Sequence, residues 1–368
     1  VRQIFGKLTK ELNKHTNSKD VGKDIGFPIK SYRDLVEQVA KLSYLNKDHL
    51  LFFRGQKNDY KNKADKSTFY PTIYRGDHLT QEELDYRFDK LNSASKILVE
   101  LFRKHKVDGI TEFRRKKLIQ WSVLQHYEVT ETPLIDITQS LRVACSFAQY
   151  QNEQESAYIY VFGLPYYSNR ISNNSEHDLV NIRLLSITPP QALRPYFQEG
   201  FLIGTEDITN EYEYKGELDL NNRLIAKFEI TNNDDFWGKD FDRIPENALY
   251  PKNDKIENIC NEIESKIQIE LAPMNIGNFL KTWTTLENSL IKRSRKYIRE
   301  THRLRDALYI LMKYEENLAS LYKQIDSLRM FRNKVVHKPL SVENGELTYQ
   351  INILNQVNEQ IKKAHNTV

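Results

Sequence analysis

Cysteine is nearly absent from this chain: Cys145 and Cys260 are the only two among 368 residues. Two cysteines cannot build a disulfide framework or a cysteine-rich zinc site, which favours a reducing, cytoplasmic setting. No stretch of about 18 apolar residues occurs, so no membrane-spanning helix is expected. No charged-then-apolar leader follows Val1. Internal repeats and low-complexity tracts are missing too, so the chain is not read as a repeat array.

What is present suffices for packed cores. Hydrophobic residues make up 39% and aromatics 11%, which argues against a largely disordered protein. The length exceeds one typical domain and predicts two. Charge is shared unevenly between them. The net charge is +4, yet residues 271–368 hold 16 Lys/Arg against 9 Asp/Glu, leaving residues 1–270 with 38 against 41. The densest stretch, IKRSRKYIRETHRLR (291–305), has seven Lys/Arg and one Glu. A basic tail on a near-neutral body points to a polyanion, foremost nucleic acid, with a solvated helix face as an equal alternative. Lys292, Arg293, Arg295, Lys296 and Arg299 are the candidate nucleic-acid contacts.

Periodicity divides the chain the same way. Residues 1–30 are polar, and NKHTNSKDVGKD reads as loop. Helical spacing marks 31–45, 80–106 and 112–127. Residues 49–56, 132–138, 157–164, 180–187, 201–204 and 223–230 read as strands separated by Pro, Gly and Asn. A closing helix is expected over 253–267. After LAPMN (271–275) strand signals nearly vanish. Phe279, Leu280, Trp283, Leu286 and Leu290 mark one helix. A second pattern runs from Leu304 through Leu308, Leu311, Leu318, Leu321 and Ile325 to Leu328, and a last helix covers roughly 350–364. The expected fold is an α+β domain over 1–270 followed by an all-α helical bundle over 271–368.

Near the end stands MFRNKVVHKP (330–339). Residues five apart on an α-helix point about 140° away from each other. Arg332 and His337 therefore meet only if the helix ends between them, as Pro339 suggests, or if a second chain completes the site. Cleaving RNA without a metal needs a base for the ribose 2′-hydroxyl, a proton for the leaving oxygen and positive donors on the crowded phosphate. Histidine serves the proton steps and arginine the phosphate. Asparagine can orient either. The plain alternative is a pair of cations at a helix C-terminus. The segments WTTLENSLI (283–291) and LRMFRNKVVH (328–337) resemble the HEPN family of small helical bundles. That family's active pattern is an Arg, four to six residues, then a His. The resemblance implies a metal-independent endoribonuclease with its site built across a homodimer or higher oligomer. Arg332, Asn333 and His337 would be catalytic and Glu287 a weaker match.

The first domain carries a second resemblance, over about residues 30–255. FFRGQ (52–56), YPTIYR (70–75), WSVLQHYEVTETPLIDITQSLRVACSFAQ (121–149) and PPQALRPYFQEGFLIG (189–204) are similar to the signatures of the FRG family. Glu128 departs from the usual Gly after Tyr127. The order of motifs is similar to ADP-ribosyltransferases of the Arg–Ser–Glu type, which implies NAD as a cofactor or substrate. Arg54 would bind its diphosphate, Thr138 position its ribose, and Gln198 or Glu199 stabilise the ribosyl cation, with His126 and Asp136 as further polar candidates. The plain alternative makes Arg54 a buried structural arginine paired with Asp136, Gln125–Tyr127 core hydrogen-bonding groups, and Gln198–Glu199 part of a turn. Cys145 reads as a small packed hydrophobe.

The leading expectation is a cytoplasmic prokaryotic defence or toxin effector. It would be an endoribonuclease needing no metal, with the FRG-like part sensing a phage or host trigger. An NAD-cleaving enzyme and a non-enzymatic sensor or oligomerisation protein are the alternatives.

Overall fold

The computed structural model describes residues 1–16, 20–76, 79–212, 214–299, 301–315, 319–337, 342 and 344–365. The chain divides into two compact units, Val1–Glu264 and Ser265–Val368.

The first unit is built on one eight-stranded sheet. Its strands are β1 (Phe27–Ile29), β2 (Leu50–Gln56), β3 (Ile135–Thr138), β4 (Ser156–Leu164), β5 (Ile171–Asn174), β6 (Leu179–Arg183), β7 (Gly200–Gly204) and β8 (Leu224–Thr231). They lie in the order β1-β8-β4-β2-β3-β7-β6-β5. Only the β1–β8 pair is parallel. Helices α1 (Lys10–His15), α2 (Tyr32–Leu45), α3 (Gln81–Lys104), α4 (Ile110–Phe113), α5 (Lys117–His126), α6 (Leu141–Gln149), α7 (Arg194–Gln198) and α8 (Glu246–Leu249) surround it.

Strand alternation gives the sheet two apolar faces. Phe53, Ile159, Val161 and Phe228 pack on one side with Leu35 and Leu42 of α2 and Ala144, Cys145 and Ala148 of α6. Phe52, Tyr160, Phe162, Ile135, Ile137 and Phe201 form a second core with Phe69 and Leu220. Cys145 is a buried core residue, as its flanking pattern suggests.

The six expected strands are present, with β3 beginning three residues later than expected and β6 ending at Arg183, four residues early, where Leu184–Ser186 forms a 3-10 turn. β1 and β5 were not expected. The span 112–127 is two helices rather than one. The Gln120 amide donates to the carbonyls of Phe113 (2.8 Å) and Arg114 (3.3 Å), satisfying groups freed where α4 stops.

The second unit is all-helical. Helix α9 (Lys255–Ser294) contributes to both units, followed by α10 (Leu304–Tyr314), α11 (Ala319–His337) and α12 (Asn344–His365). Their core contains Phe279, Trp283, Leu286, Leu290, Leu308, Leu311, Tyr322, Ile325, Leu328, Leu354 and Val357. The separate helices expected at 253–267 and from Phe279 are one helix. Pro273 removes a single helical donor without ending the run. Conversely, the pattern from Leu304 to Leu328 is two helices, and Leu318 falls outside the described residues. The last helix starts six residues earlier than expected. Among the described residues, no helix is long and apolar enough to cross a membrane.

Candidate functional sites

The C-terminal motif lies wholly on α11. The helix runs unbroken from Ala319 through His337, so it does not end between Arg332 and His337. Pro339 lies outside the described residues. Five residues of regular helix separate the two side chains by about 140°, and one chain alone does not close a site around them. Phe331 and Val335 are the buried positions of this turn, which fixes which residues face away from the core. Arg332 is half-buried, and its Nη1 donates to Asn333 Oδ1 at 3.3 Å. Its Nε is buried with no partner among the described residues. His337 is exposed. Glu287 accepts from the Trp283 indole at 3.1 Å, one turn away on α9, which gives it a structural role.

The basic stretch divides into engaged and free cations. Arg293 is buried, and its Nε donates to both carboxylate oxygens of Glu315 at 2.9 and 3.0 Å. Glu315 also accepts from the hydroxyls of Tyr322 and Tyr297. Arg293 is thus unavailable to a phosphate, contrary to the expectation from sequence. Arg295 donates to the Thr301 carbonyl at 3.0 Å. Lys292, Lys296 and Arg299 are exposed, with no ion-pair partner among the described residues.

In the first unit, Arg54 lies on β2 opposite Tyr160 of β4. Its Nη1 donates to the main-chain carbonyl of Asp136 at 2.5 Å. Burial lowers its pKa most, and the neighbouring Arg75 lowers it further, while Asp136 opposes both. The Asp136 carboxylate itself accepts from Gln125 at 2.6 Å. Gln125 in turn accepts from Thr132. His126 Nδ1 is 3.7 Å from the same carboxylate, and its Nε2 is buried with no partner among the described residues. The side chains of Asp136, Gln125 and His126 are therefore brought together, while Arg54 leaves the sheet on its other face and holds the Asp136 backbone carbonyl.

Thr138 does not join Arg54. It stands opposite Phe53, and neighbours along β2 point to opposite faces, so Thr138 and Arg54 leave the sheet on different sides. The Thr138 hydroxyl donates to the Glu199 carbonyl at 3.1 Å and accepts from Ser140 N at the start of α6. Gln198 donates to the Leu249 carbonyl at 2.8 Å. Glu199 is exposed and left-handed (φ 44°), in the turn between α7 and β7.

Sequence reasoning passed over Arg75, Arg194 and Arg223. Arg194 is buried between the rings of Tyr127 (5.1 Å) and Tyr250 (4.9 Å) and pairs with Glu257. Nearby, Asp254 accepts from the Tyr127 hydroxyl at 2.7 Å and from two main-chain amides at the start of α7. The Arg in the LRPYFQEG segment was the available signal. Among the described residues, no group of three His, Cys, Asp or Glu is placed to hold a metal ion.

Residues 49–157 match the FRG domain. The match runs from the start of β2 to the beginning of β4, so it contains Arg54, His126, Asp136 and Thr138. The FRG motif itself is Phe53-Arg54-Gly55. Here Phe53 packs in the core, Arg54 ties β2 to β3, and Gly55 lies against α6. No curated protein and no solved structure matches the chain.

Proposed function

We propose that this protein is a metal-independent endoribonuclease of the HEPN type whose site is completed by a second copy of the chain, with the FRG domain sensing a trigger or restraining the nuclease. One observation supports this reading: Arg332 and Asn333 meet on the last turns of an unbroken α11, with the Arg332 Nε unpaired among the described residues and His337 exposed about 140° around the helix, where a second copy can complete the pair. His337 would remove the proton from a ribose 2′-hydroxyl. The 2′-oxygen then attacks phosphorus, the P–O5′ bond breaks, and the departing 5′-oxygen takes a proton. Arg332 would stabilise the charge on the phosphate oxygens, and Asn333 would hold the guanidinium from one side. A defence or toxin effector is the biological role that such a pairing of domains suits.

The FRG domain enters as the regulatory part because Arg54, Thr138 and Glu199 do not converge, which weakens an NAD-cleaving reading. The test is incubation of the purified chain with total RNA in EDTA. Wild type is expected to fragment the RNA and His337→Ala to lose about 100-fold or more of that activity. Equal integrity of the RNA with both proteins would remove the nuclease reading.

A further inference from the structure

We infer that the outer face of α10 is a base-stacking groove for single-stranded RNA; this rests on the nuclease reading and names how its substrate is held. The groove, of about 460 Å³, is lined by Arg303, Arg305, Asp306, Tyr309 and Ile310. Tyr309 is 70% exposed. Its ring and hydroxyl have no partner among the described residues.

Spacing makes the arrangement specific. Arg305, Tyr309 and Lys313 lie four residues apart, so they form one row along α10, with an aromatic ring between two cations. Arg303 and Arg305 are exposed and have no ion-pair partner among the described residues. At the far end of the helix, Tyr314 stacks on Tyr297 with ring centroids 4.8 Å apart, and both are exposed. Lys292, Lys296 and Arg299 extend the positive charge on the preceding segment.

Cations that follow a phosphate chain, interleaved with open aromatic faces, suit a strand whose bases are free to stack. A duplex hides those faces, so single strands are favoured. Asp306 is the one acid lining the groove, and its carboxylate can accept from an exocyclic base amine.

The test uses the full chain carrying His337→Ala, so that RNA survives, and fluorescently labelled oligouridine of twelve residues. Tyr309→Ala is expected to weaken binding about tenfold, while Tyr309→Phe, which keeps the ring, stays near the parent. Arg303→Ala with Arg305→Ala is expected to flatten the salt dependence by about 1.4 in log–log slope. An RNA duplex of the same length should bind more weakly than the single strand. Unchanged affinity for Tyr309→Ala, equal binding of duplex and single strand, or preference for an acidic peptide over RNA would each overturn the groove. Binding that responds as expected in a chain whose wild type never cleaves RNA would instead sink the nuclease reading and leave the groove standing.

Discussion

Arg223 is the clearest case of a single residue that constrains the chemistry around it. Its side chain is fully buried, donating to the carbonyls of Gly163 (2.8 Å) and Arg2 (3.2 Å) and meeting His177 Nδ1 at 3.0 Å. No carboxylate pairs with it among the described residues, and burial pulls its pKa down to about 10. His177 and His49 lie edge to face beside it, 6.4 Å between centroids. Burial first, and Arg223 second, lower both imidazoles below their ordinary value of 6.5. Below about pH 6.5 the unfolded chain then binds protons that the folded chain refuses, so stability falls as pH drops. Urea midpoints at pH 7.5 and 5.5 are expected to differ less in His177→Asn, which keeps an acceptor for Arg223 but does not titrate. An unchanged difference would show that the acid sensitivity lies elsewhere.

At the scale of elements, the FRG motif explains itself through helix–strand contact. A Cβ at Gly55 would collide with the Ala144 carbonyl oxygen and crowd Ala148. The glycine lets α6 lie close against β2. Gly55→Ala is expected to cost about 3 kcal/mol, read as a lower urea midpoint with the same slope. A variant as stable as the parent would contradict the close approach. The central strands were legible because runs such as AYIYVFGL are apolar on both faces. β1 and β5 were not, because FPI and ISNN are short and carry no alternation; they exist because β8 and β6 offer an edge to pair with. The continuity of α9 was hidden by Pro273, which reads as a stop when its tertiary surroundings are unknown. The engagement of Arg293 was hidden for a similar reason: Glu315 lies 22 residues away, and only the packing of the helices brings the two together. The plain alternative paired Arg54 with Asp136; the two do meet, but through the Asp136 backbone carbonyl, which sequence could not say.

Across the whole molecule, the motif residues of the two units are engaged differently. The first spends most of its motif residues on holding strands and turns: Arg194 on Glu257, Thr138 on Glu199, Gln198 on Leu249. The second leaves its motif residues largely unspent. The unbroken α11 turns the spacing of Arg332 and His337 into a statement about assembly, since a site using both needs both copies of a dimer. Complementation tests this directly. Arg332→Ala and His337→Ala chains, each inactive alone, are co-expressed, purified together and given RNA in EDTA. If each site takes Arg332 from one subunit and His337 from the other, half of the dimers are mixed and each mixed dimer regains one of its two sites. The mixture is then expected to show about one quarter of wild-type cleavage. A mixture as inactive as either variant alone, beside an active wild type, would contradict the shared site.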